Sequence, residues 1–277
     1  MTPQTWFLTG CSSGLGRAFA EAALDAGQRV IATARDVRQL ADLEQAGRCA
    51  VFALDVTEPE EVARVVAEAE ALWDGLDVVV NNAGHGLLGA VEECGDAQVR
   101  RCFETHFFGP LNVLRAALPG LRARRRGHIV QVGAAAAVSN YAGFGAYGGA
   151  KAALEKMTES LRLELAPLGI RVTTLVPGPF RTGFIARGLE RADAAIGDYA
   201  GGPAAKFGRL LETMDGRQPG DPARAARAVV ARILAGDAPA RLPLGGYLVK
   251  KWRDQAALLL REAEQEQAWA VSADAPA

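Results

Sequence analysis

The chain has 277 residues, 49% of them hydrophobic, which is enough to bury the core of one large α/β domain or two small ones. Its formal net charge of −1 excludes a strong global attraction to nucleic acid or to an anionic membrane surface.

The first residues, MTPQTWFLTG, lack a basic segment followed by a long apolar run, so we expect no signal peptide. No stretch approaches the roughly 20 apolar residues that span a bilayer. The four cysteines form no CxxC pair and show no metal-ligand spacing, which favours reduced thiols and no metal site. We therefore expect a cytoplasmic protein that binds neither membrane nor nucleic acid.

Short apolar runs alternate with longer helical segments through the first two thirds of the chain. Strands are predicted over 5–9, 29–33, 49–54, 76–80, 128–132 and 171–176. Helices are predicted near 14–26, 37–46, 58–73, 96–124 and 146–168. Most of the strands are apolar on both faces, as a parallel sheet covered by helices requires. The alternation predicts an α/β fold with a single doubly wound parallel sheet of Rossmann type, flanked by helices on both faces.

The last third breaks this rhythm. Residues 180–220 are rich in Gly and Ala, and we interpret them as a mobile helical flap over a ligand site. Further elements are predicted as a helix over 221–236, a strand over 241–245 and a last helix near 247–268. We predict one domain over residues 1–270 and a disordered tail over 271–277.

Glycines in TGCSSGLG lie between the first predicted strand and the first predicted helix. Such glycines let the backbone turn tightly and approach a pyrophosphate, while the helix N-terminus supplies free N–H groups. A glycine turn alone also closes ordinary strand–helix corners, but here the strand, the turn and the helix are all present. The expected contacts of a dinucleotide are Gly10, Ser12, Ser13, Gly14, Leu15 and Gly16.

The end of the second predicted strand, ATARD, is expected to meet the adenosine ribose. An acid there suits the 2′-hydroxyl of NAD, whereas an arginine suits the 2′-phosphate of NADP. Arg35 follows the strand directly and Arg17 lies at the start of the nearby helix, so NADP(H) is favoured over NAD(H). Asp36 is close enough to accept from the 2′-hydroxyl of NAD, so NAD remains an alternative.

Three further segments follow strands and therefore belong to the same edge of the sheet. Asp55 is expected to accept from the adenine amino group. The motif NNAG offers amides and a glycine that can lie flat against a cofactor, and PGPFRT can wrap the nicotinamide amide. The cofactor contacts expected from these segments are Asp55, Val56, Asn82, Ala83, Gly84, Pro177, Gly178 and Thr182.

Tyr147 and Lys151 stand four residues apart in YGGAK, within a predicted helix, and therefore share one of its faces. A free phenol has a pKa of about 10, and a lysine cation one turn away favours the phenolate. This pair predicts acid–base chemistry by Tyr147, with Lys151 also available to the nicotinamide ribose.

Taken together, TGCSSGLG, NNAG, AGFGAY, YGGAK and PGPFRT resemble the short-chain dehydrogenase/reductase family, in particular its hydroxysteroid-dehydrogenase-like branch. The resemblance covers nearly the whole chain. It implies NAD(P)-dependent carbonyl reduction or alcohol oxidation by a homodimer or homotetramer. The family's catalytic tyrosine falls on Tyr147 and its lysine on Lys151.

Two positions depart from the family's pattern. The catalytic serine, which lies thirteen residues before the tyrosine, falls on Ala134, and the asparagine of the long helix falls on His106. Loss of one such hydrogen-bond donor costs about 10²–10³ in rate in other enzymes. Ser139 is the first candidate to replace the missing hydroxyl, with Asn140 and Tyr141 beside it. His106 is a candidate for the asparagine's proton relay, since histidine titrates near neutrality, although a packed structural histidine is equally compatible.

The sequence therefore predicts an NADP-dependent oxidoreductase acting on a hydrophobic ketone or secondary alcohol, with Tyr147 as acid/base. Ala134 leaves two alternatives open. One is a non-redox catalyst on the same scaffold, such as an isomerase, dehydratase or cyclase. The other is a cofactor-binding protein with little turnover.

Overall fold

The structure is a computed structural model, and it describes residues 2–44 and 47–275. Its strands are β1 (Thr5–Leu8), β2 (Arg29–Ala34), β3 (Cys49–Ala53), β4 (Val78–Asn81), β5 (Gly86–Leu88), β6 (Gly127–Val132), β7 (Ile170–Pro177), β8 (Leu189–Arg191) and β9 (Arg241–Leu244). Its α-helices are α1 (Gly14–Asp25), α2 (Pro59–Leu72), α3 (Asp96–Phe103), α4 (Gly109–Arg124), α5 (Ala135–Val138), α6 (Gly145–Leu165), α7 (Phe184–Arg187), α8 (Pro203–Met214), α9 (Pro222–Ala235) and α10 (Gly246–Val271).

Seven strands form one parallel sheet in the order β3-β2-β1-β4-β6-β7-β9. The order reverses between β1 and β4, which is where ligands bind in doubly wound sheets. The predicted α/β class and Rossmann-type topology are confirmed.

Alternation along β1 shows why Trp6, Phe7 and Leu8 are all apolar. Trp6 and Leu8 face the layer that contains Phe19 of α1 and Val229 of α9. Phe7 faces the opposite layer, built by α2 and α4. Successive side chains of a strand point to opposite faces, so a sheet covered on both faces needs apolar residues at every position.

The long predicted helix 96–124 is divided. Five residues, Glu104–Phe108, form a π-helical turn between α3 and α4. Pro110 follows it, and proline has no N–H to close the α-helical bond to the carbonyl four residues earlier. Turns of this kind are frequent at functional sites.

Other predicted boundaries differ. The predicted helix 37–46 is a 3₁₀ turn over Val37–Leu40 followed by turns, and its positions 45–46 lie outside the described residues. The segment 180–220 is helical only in α7, α8 and a short 3₁₀ turn, and it also contains β8. Strands β5 and β8 form a separate two-stranded parallel sheet that the sequence did not indicate.

At the carboxyl end, α10 continues to Val271 and turns follow it over 272–275, while 276–277 lie outside the described residues. The disorder of the tail and the single-domain boundary at residue 270 stay predictions. In the part of the chain that the structure describes, no helix is both long enough and apolar enough to cross a bilayer.

Candidate functional site

A cavity of about 1590 Å³ opens at the carboxyl ends of the central strands. It collects residues from the glycine turn, from the loops after β2, β3, β4, β6 and β7, and from α6 and α8. Among the expected cofactor contacts, the residues that line it are Gly10, Ser12, Ser13, Gly14, Leu15, Arg35, Asp55, Val56, Asn82, Ala83, Gly84, Tyr147, Lys151, Pro177, Gly178 and Thr182.

The glycine turn is fixed by close backbone approach. Gly10 has φ +71°, and a Cβ atom there would lie 2.8 Å from the Cα of Ala83. Gly16, expected as a cofactor contact, is buried and does not line the cavity. A Cβ at Gly16 would overlap the carbonyl oxygen of Gly10 and the amide of Asn82. Gly16 therefore lets α1 pack against the turn, while Gly10 and Gly14 face the cavity.

Thr9 ties this turn to the loop after β4, a role that the sequence analysis missed. Its hydroxyl oxygen accepts hydrogen bonds from the backbone N–H of Asn82 (2.9 Å) and of Ala83 (3.0 Å). The Asn82 amide in turn donates to the carbonyl oxygen of Thr9 at 3.0 Å. The two loops expected to hold opposite sides of a dinucleotide are thus one hydrogen-bonded unit.

Of the charged residues Arg17, Arg35 and Asp36 near the end of β2, only Arg35 lines the cavity, whereas the other two pair with other side chains. Arg35 is exposed and lines the cavity. Asp36 instead caps the following 3₁₀ turn and forms a 2.9 Å ion pair with Arg38, so its carboxylate is already engaged. Arg17 pairs with Asp42 and Glu21 and does not line this cavity.

Asp55 lies half-buried in the cavity wall after β3. One of its carboxylate oxygens, Oδ1, accepts from the backbone N–H of Thr57 (3.0 Å) and from its hydroxyl (2.8 Å). These bonds fix the carboxylate at the cavity wall beside the buried Val56.

Tyr147 and Lys151 lie on one face of α6, and both side chains line the cavity although each residue is almost fully buried. The Lys151 ammonium donates a 2.7 Å hydrogen bond to the carbonyl oxygen of Val132, the last residue of β6. Burial lowers the pKa of Lys151 to about 8. The helix and the strand end are therefore joined at the expected reaction site.

The expected effect of Lys151 on the acidity of Tyr147 is not what the structure gives. Burial raises the pKa of the Tyr147 phenol above its ordinary value, and the neighbouring Cys102 thiol raises it further. The phenol is thus held in its protonated form, ready to donate a proton rather than already ionised.

His106 lies in the π-helical turn with 1% of its surface exposed. Its Nε2 lies 2.5 Å from the carbonyl oxygen of His85, and its ring meets the Tyr147 ring edge-on at 5.2 Å between centroids. Burial and then the charge of Lys151 lower the pKa of His106 well below 6.5. The expectation that it titrates near neutrality is wrong, because the buried site disfavours the charged ring.

The segment after β6 presents no serine to the cavity. Ala134 lines it and packs in the same apolar cluster as Tyr147. Ser139 ends α5 and does not line the cavity, so the structure does not bring this candidate hydroxyl to the site. The Asn140 amide donates to the carbonyl oxygen of Phe144 at 3.1 Å. Of the three candidates, Tyr141 alone lines the cavity.

Aromatic side chains form the wall on the substrate side. Tyr141 stacks on Phe207 of α8, with 4.8 Å between centroids and 6° between planes. Phe144 meets both Phe207 and Tyr147 edge-on, at 5.0 Å and 5.1 Å. Leu87 and Leu88 of β5 do not line the cavity and are buried in the cluster that also contains Phe144 and Tyr147.

A polar cluster that the sequence analysis missed closes the other side. Glu190 of β8 accepts from Arg101 (2.7 Å) and from the buried amide of Gln98 (3.0 Å), and lies 3.8 Å from His85. The two parts of this cluster are about 90 residues apart in sequence, so no local pattern could have indicated it. It holds β8, which lies within the segment 180–220, against α3.

The family model for short chain dehydrogenase matches residues 4–192, more than half of the chain. The chain belongs to the short-chain dehydrogenase family. Oxidoreductase BOA17 of Botryotinia fuckeliana is 33% identical over 264 residues, which cover 94% of this chain and 95% of that protein.

Two solved structures extend the comparison. A short-chain dehydrogenase from Streptomyces avermitilis has a TM-score of 0.91 and 37% identity and covers 99% of both chains. A short-chain dehydrogenase from Burkholderia cenocepacia, solved in complex with NADP, has a TM-score of 0.74 and 26% identity and covers 95% of this chain and 97% of that one.

Part of the cavity of this short-chain dehydrogenase lies outside the family match, which ends at residue 192. The cavity residues beyond that point include Phe207, Leu210, Leu211, Met214 and Tyr247. The side of the cavity formed by the glycine turn therefore comes from the matched segment, and much of the apolar wall comes from α8 and the start of α10.

Proposed function

We propose that the chain is an NADP-dependent oxidoreductase that interconverts a hydrophobic ketone and a secondary alcohol. One observation carries the proposal: the Tyr147–Lys151 pair opens into the same cavity as the glycine turn. The resemblance to a family of dehydrogenases agrees with it, as does the NADP complex of the relative from Burkholderia cenocepacia.

The residues present fit a dinucleotide. The close approach of Gly10 to Ala83 leaves no space for a side chain, as a turn that touches a pyrophosphate requires. Ser13 precedes α1 without capping it, so its hydroxyl and the first N–H groups of the helix are available to phosphate. Arg35 would meet a 2′-phosphate, which is why we favour NADP over NAD.

A bound nicotinamide would supply the hydride that adds to the carbonyl carbon in the direction of reduction. The protonated phenol of Tyr147 gives its proton to the carbonyl oxygen, and the product is the secondary alcohol. The Lys151 ammonium stabilises the phenolate that remains after this transfer, and its hydrogen bond to Val132 fixes the end of β6. His106 is a positioning residue, because its ring packs against Tyr147 while Nε2 holds the backbone at His85.

The aromatic wall of Tyr141, Phe144 and Phe207 selects an apolar substrate. The stacked and edge-on rings leave flat faces along the cavity, which suit a cyclic or aromatic carbon skeleton. We propose a cytoplasmic homo-oligomer that folds as a single domain over residues 1–270.

Ala134 favours a second candidate, a non-redox catalyst on the same scaffold, because a methyl group cannot hydrogen-bond a developing oxyanion. A cofactor-binding protein with little turnover is the limiting case. If the chain is a non-redox catalyst or a binding protein, the absorbance of reduced nicotinamide stays constant when a ketone is added.

The test is to follow that absorbance with NADPH and 4-phenylcyclohexanone, an apolar cyclic ketone. The wild type should consume NADPH, and Tyr147→Phe should lose about 10²–10⁴ of the rate because its proton donor is gone. Tyr199→Phe is the matched control, since the Tyr199 phenol bonds to Glu92 and does not line the cavity. Equal rates for wild type and Tyr147→Phe would refute the proposal.

A further inference from the structure

The last helix, α10, leaves the body of the protein part-way along its length. Leu248 is buried, and Lys251, Trp252 and Gln255 are half-buried. From residue 256 to residue 271 every position is exposed. This projecting part is about 24 Å long at 1.5 Å per residue. Most helical stability in proteins comes from packing of one face, so this exposed part calls for a covering surface.

A narrow apolar stripe runs along the open side of α10. It passes through Val249, Ala256, Leu260 and Ala263, which recur at helical spacing, with Arg253 and Gln267 in the same row. Leu260 is 61% exposed and Val249 is 37% exposed. The alternation of leucine with alanine suits close approach of a second helix.

Charge is distributed unequally between the two halves of this helix. The first half carries Lys250, Lys251 and Arg253 against one acid, Asp254. The second half carries Glu262, Glu264 and Glu266 against one base, Arg261. A parallel pair of such helices would align like charges, whereas an antiparallel pair aligns opposite charges.

We propose that α10 pairs antiparallel with α10 of a second copy of this chain, about a two-fold axis that crosses the stripe at the level of residue 258. In that register the stripe matches itself, with Ala256 opposite Leu260 of the second copy and Arg253 opposite Ala263 of the second copy. The two-fold axis repeats each contact, as a symmetric dimer interface requires.

The same register aligns the charges at the edges of the stripe. Arg253 and Lys250 lie on the same flank of the stripe as Glu264 of the second copy, and Glu264 is nearly level with Arg253. Asp254 lies beside Arg261 of the second copy.

The test is the mass of the full-length chain in sedimentation equilibrium and light scattering, with and without anionic phospholipid vesicles. Leu260→Asp should have half the wild-type mass, because it places a charge in the centre of the stripe. Leu258→Asp is the matched control: it puts the same charge on the opposite side of the same turn, and should keep the wild-type mass.

A charge exchange gives a second readout that does not depend on apolar packing. Arg253→Glu should weaken the association by about tenfold or more, since the lost attraction becomes repulsion at two symmetric places. Adding Glu264→Arg should restore it. Equal masses for wild type, Leu260→Asp and Leu258→Asp would overturn the proposal. Binding of the wild-type chain to the vesicles as a monomer would also overturn it.

Discussion

The ammonium of Lys151 donates a 2.7 Å hydrogen bond to the backbone carbonyl oxygen of Val132. This bond joins α6, which carries the Tyr147 phenol, to the end of β6, where Ala134 lines the cavity. Both residues are buried, so water does not reach the bond. Burial also removes water from the Lys151 ammonium, which makes its charged form less favourable. The pKa of Lys151 is therefore lowered to about 8.

A pH dependence follows from this lowered pKa. The ammonium of Lys151 is present below about pH 8 and is lost as the pH rises through that value. We expect kcat/KM for ketone reduction to fall about tenfold per pH unit above it, because each proton lost removes the active form. The Lys151→Met variant should show low activity without this inflection. A wild-type profile that stays flat up to pH 10 would contradict the assignment.

Restoring a hydroxyl after β6 should accelerate the reaction. We expect Ala134→Ser to raise kcat for ketone reduction by about 10–100-fold, because a hydrogen-bond donor at the developing oxyanion is worth up to 10²–10³ in rate. Ala136→Ser is the matched control, since it adds the same hydroxyl to another buried alanine of the cavity wall. If both variants leave kcat unchanged, position 134 does not face the reacting oxygen.

Arg35 should set the preference between the two nicotinamide cofactors. Arg35→Ala should raise the KM for NADPH by about 10–100-fold and leave that for NADH nearly unchanged, because only NADPH carries the 2′-phosphate. Arg38→Ala serves as control, since Arg38 is 87% exposed and pairs with Asp36 outside the cavity. Equal effects on both cofactors would place the 2′-phosphate elsewhere.

Acid should destabilise the protein through its histidines. Burial lowers the pKa of His128 to about 4, and its Nε2 lies 2.9 Å from the hydroxyl of Thr173. That hydroxyl donates to the carbonyl oxygen of Pro239, so Nε2 carries the proton of a neutral ring. The unfolded chain binds a proton near pH 6.5 and the folded chain only near pH 4, so stability is lost as the pH falls through this range.

The measurement is urea unfolding at pH 7.5 and at pH 5. His128→Gln should remove about 2 kcal/mol of the difference in unfolding free energy between the two pH values. His85→Gln should remove less, because His85 is only half-buried and the charge of Glu190 offsets part of its lowered pKa. An unchanged pH difference in His128→Gln would show that this ring is protonated in the folded state.

The central sheet and the nucleotide side of the cavity could be predicted from local patterns. Apolar runs such as TWFLT form strands because both faces of the sheet are covered, and glycines such as Gly10 stand where the backbone leaves no space for a side chain. The Tyr147–Lys151 pair could be predicted because a helix brings residues four apart to one face.

The rest depends on contacts between distant segments. The tie from Glu190 to Gln98 and Arg101 leaves no trace in either segment alone. The pKa of Tyr147 was expected to fall because Lys151 is a near neighbour in sequence, but it rises because burial dominates. Ser139 was expected in the cavity from its place in the loop, and α5 carries it away.

The most direct test of the central claim is transfer of deuterium from NADPH that carries deuterium at both C4 positions of the nicotinamide to 4-phenylcyclohexanone, followed by mass spectrometry of the alcohol. We predict one deuterium on the carbinol carbon with the wild type, and a loss of about 10²–10⁴ in the rate with Tyr147→Phe. Unlabelled product from the wild type, or labelled product at an undiminished rate from Tyr147→Phe, would contradict it.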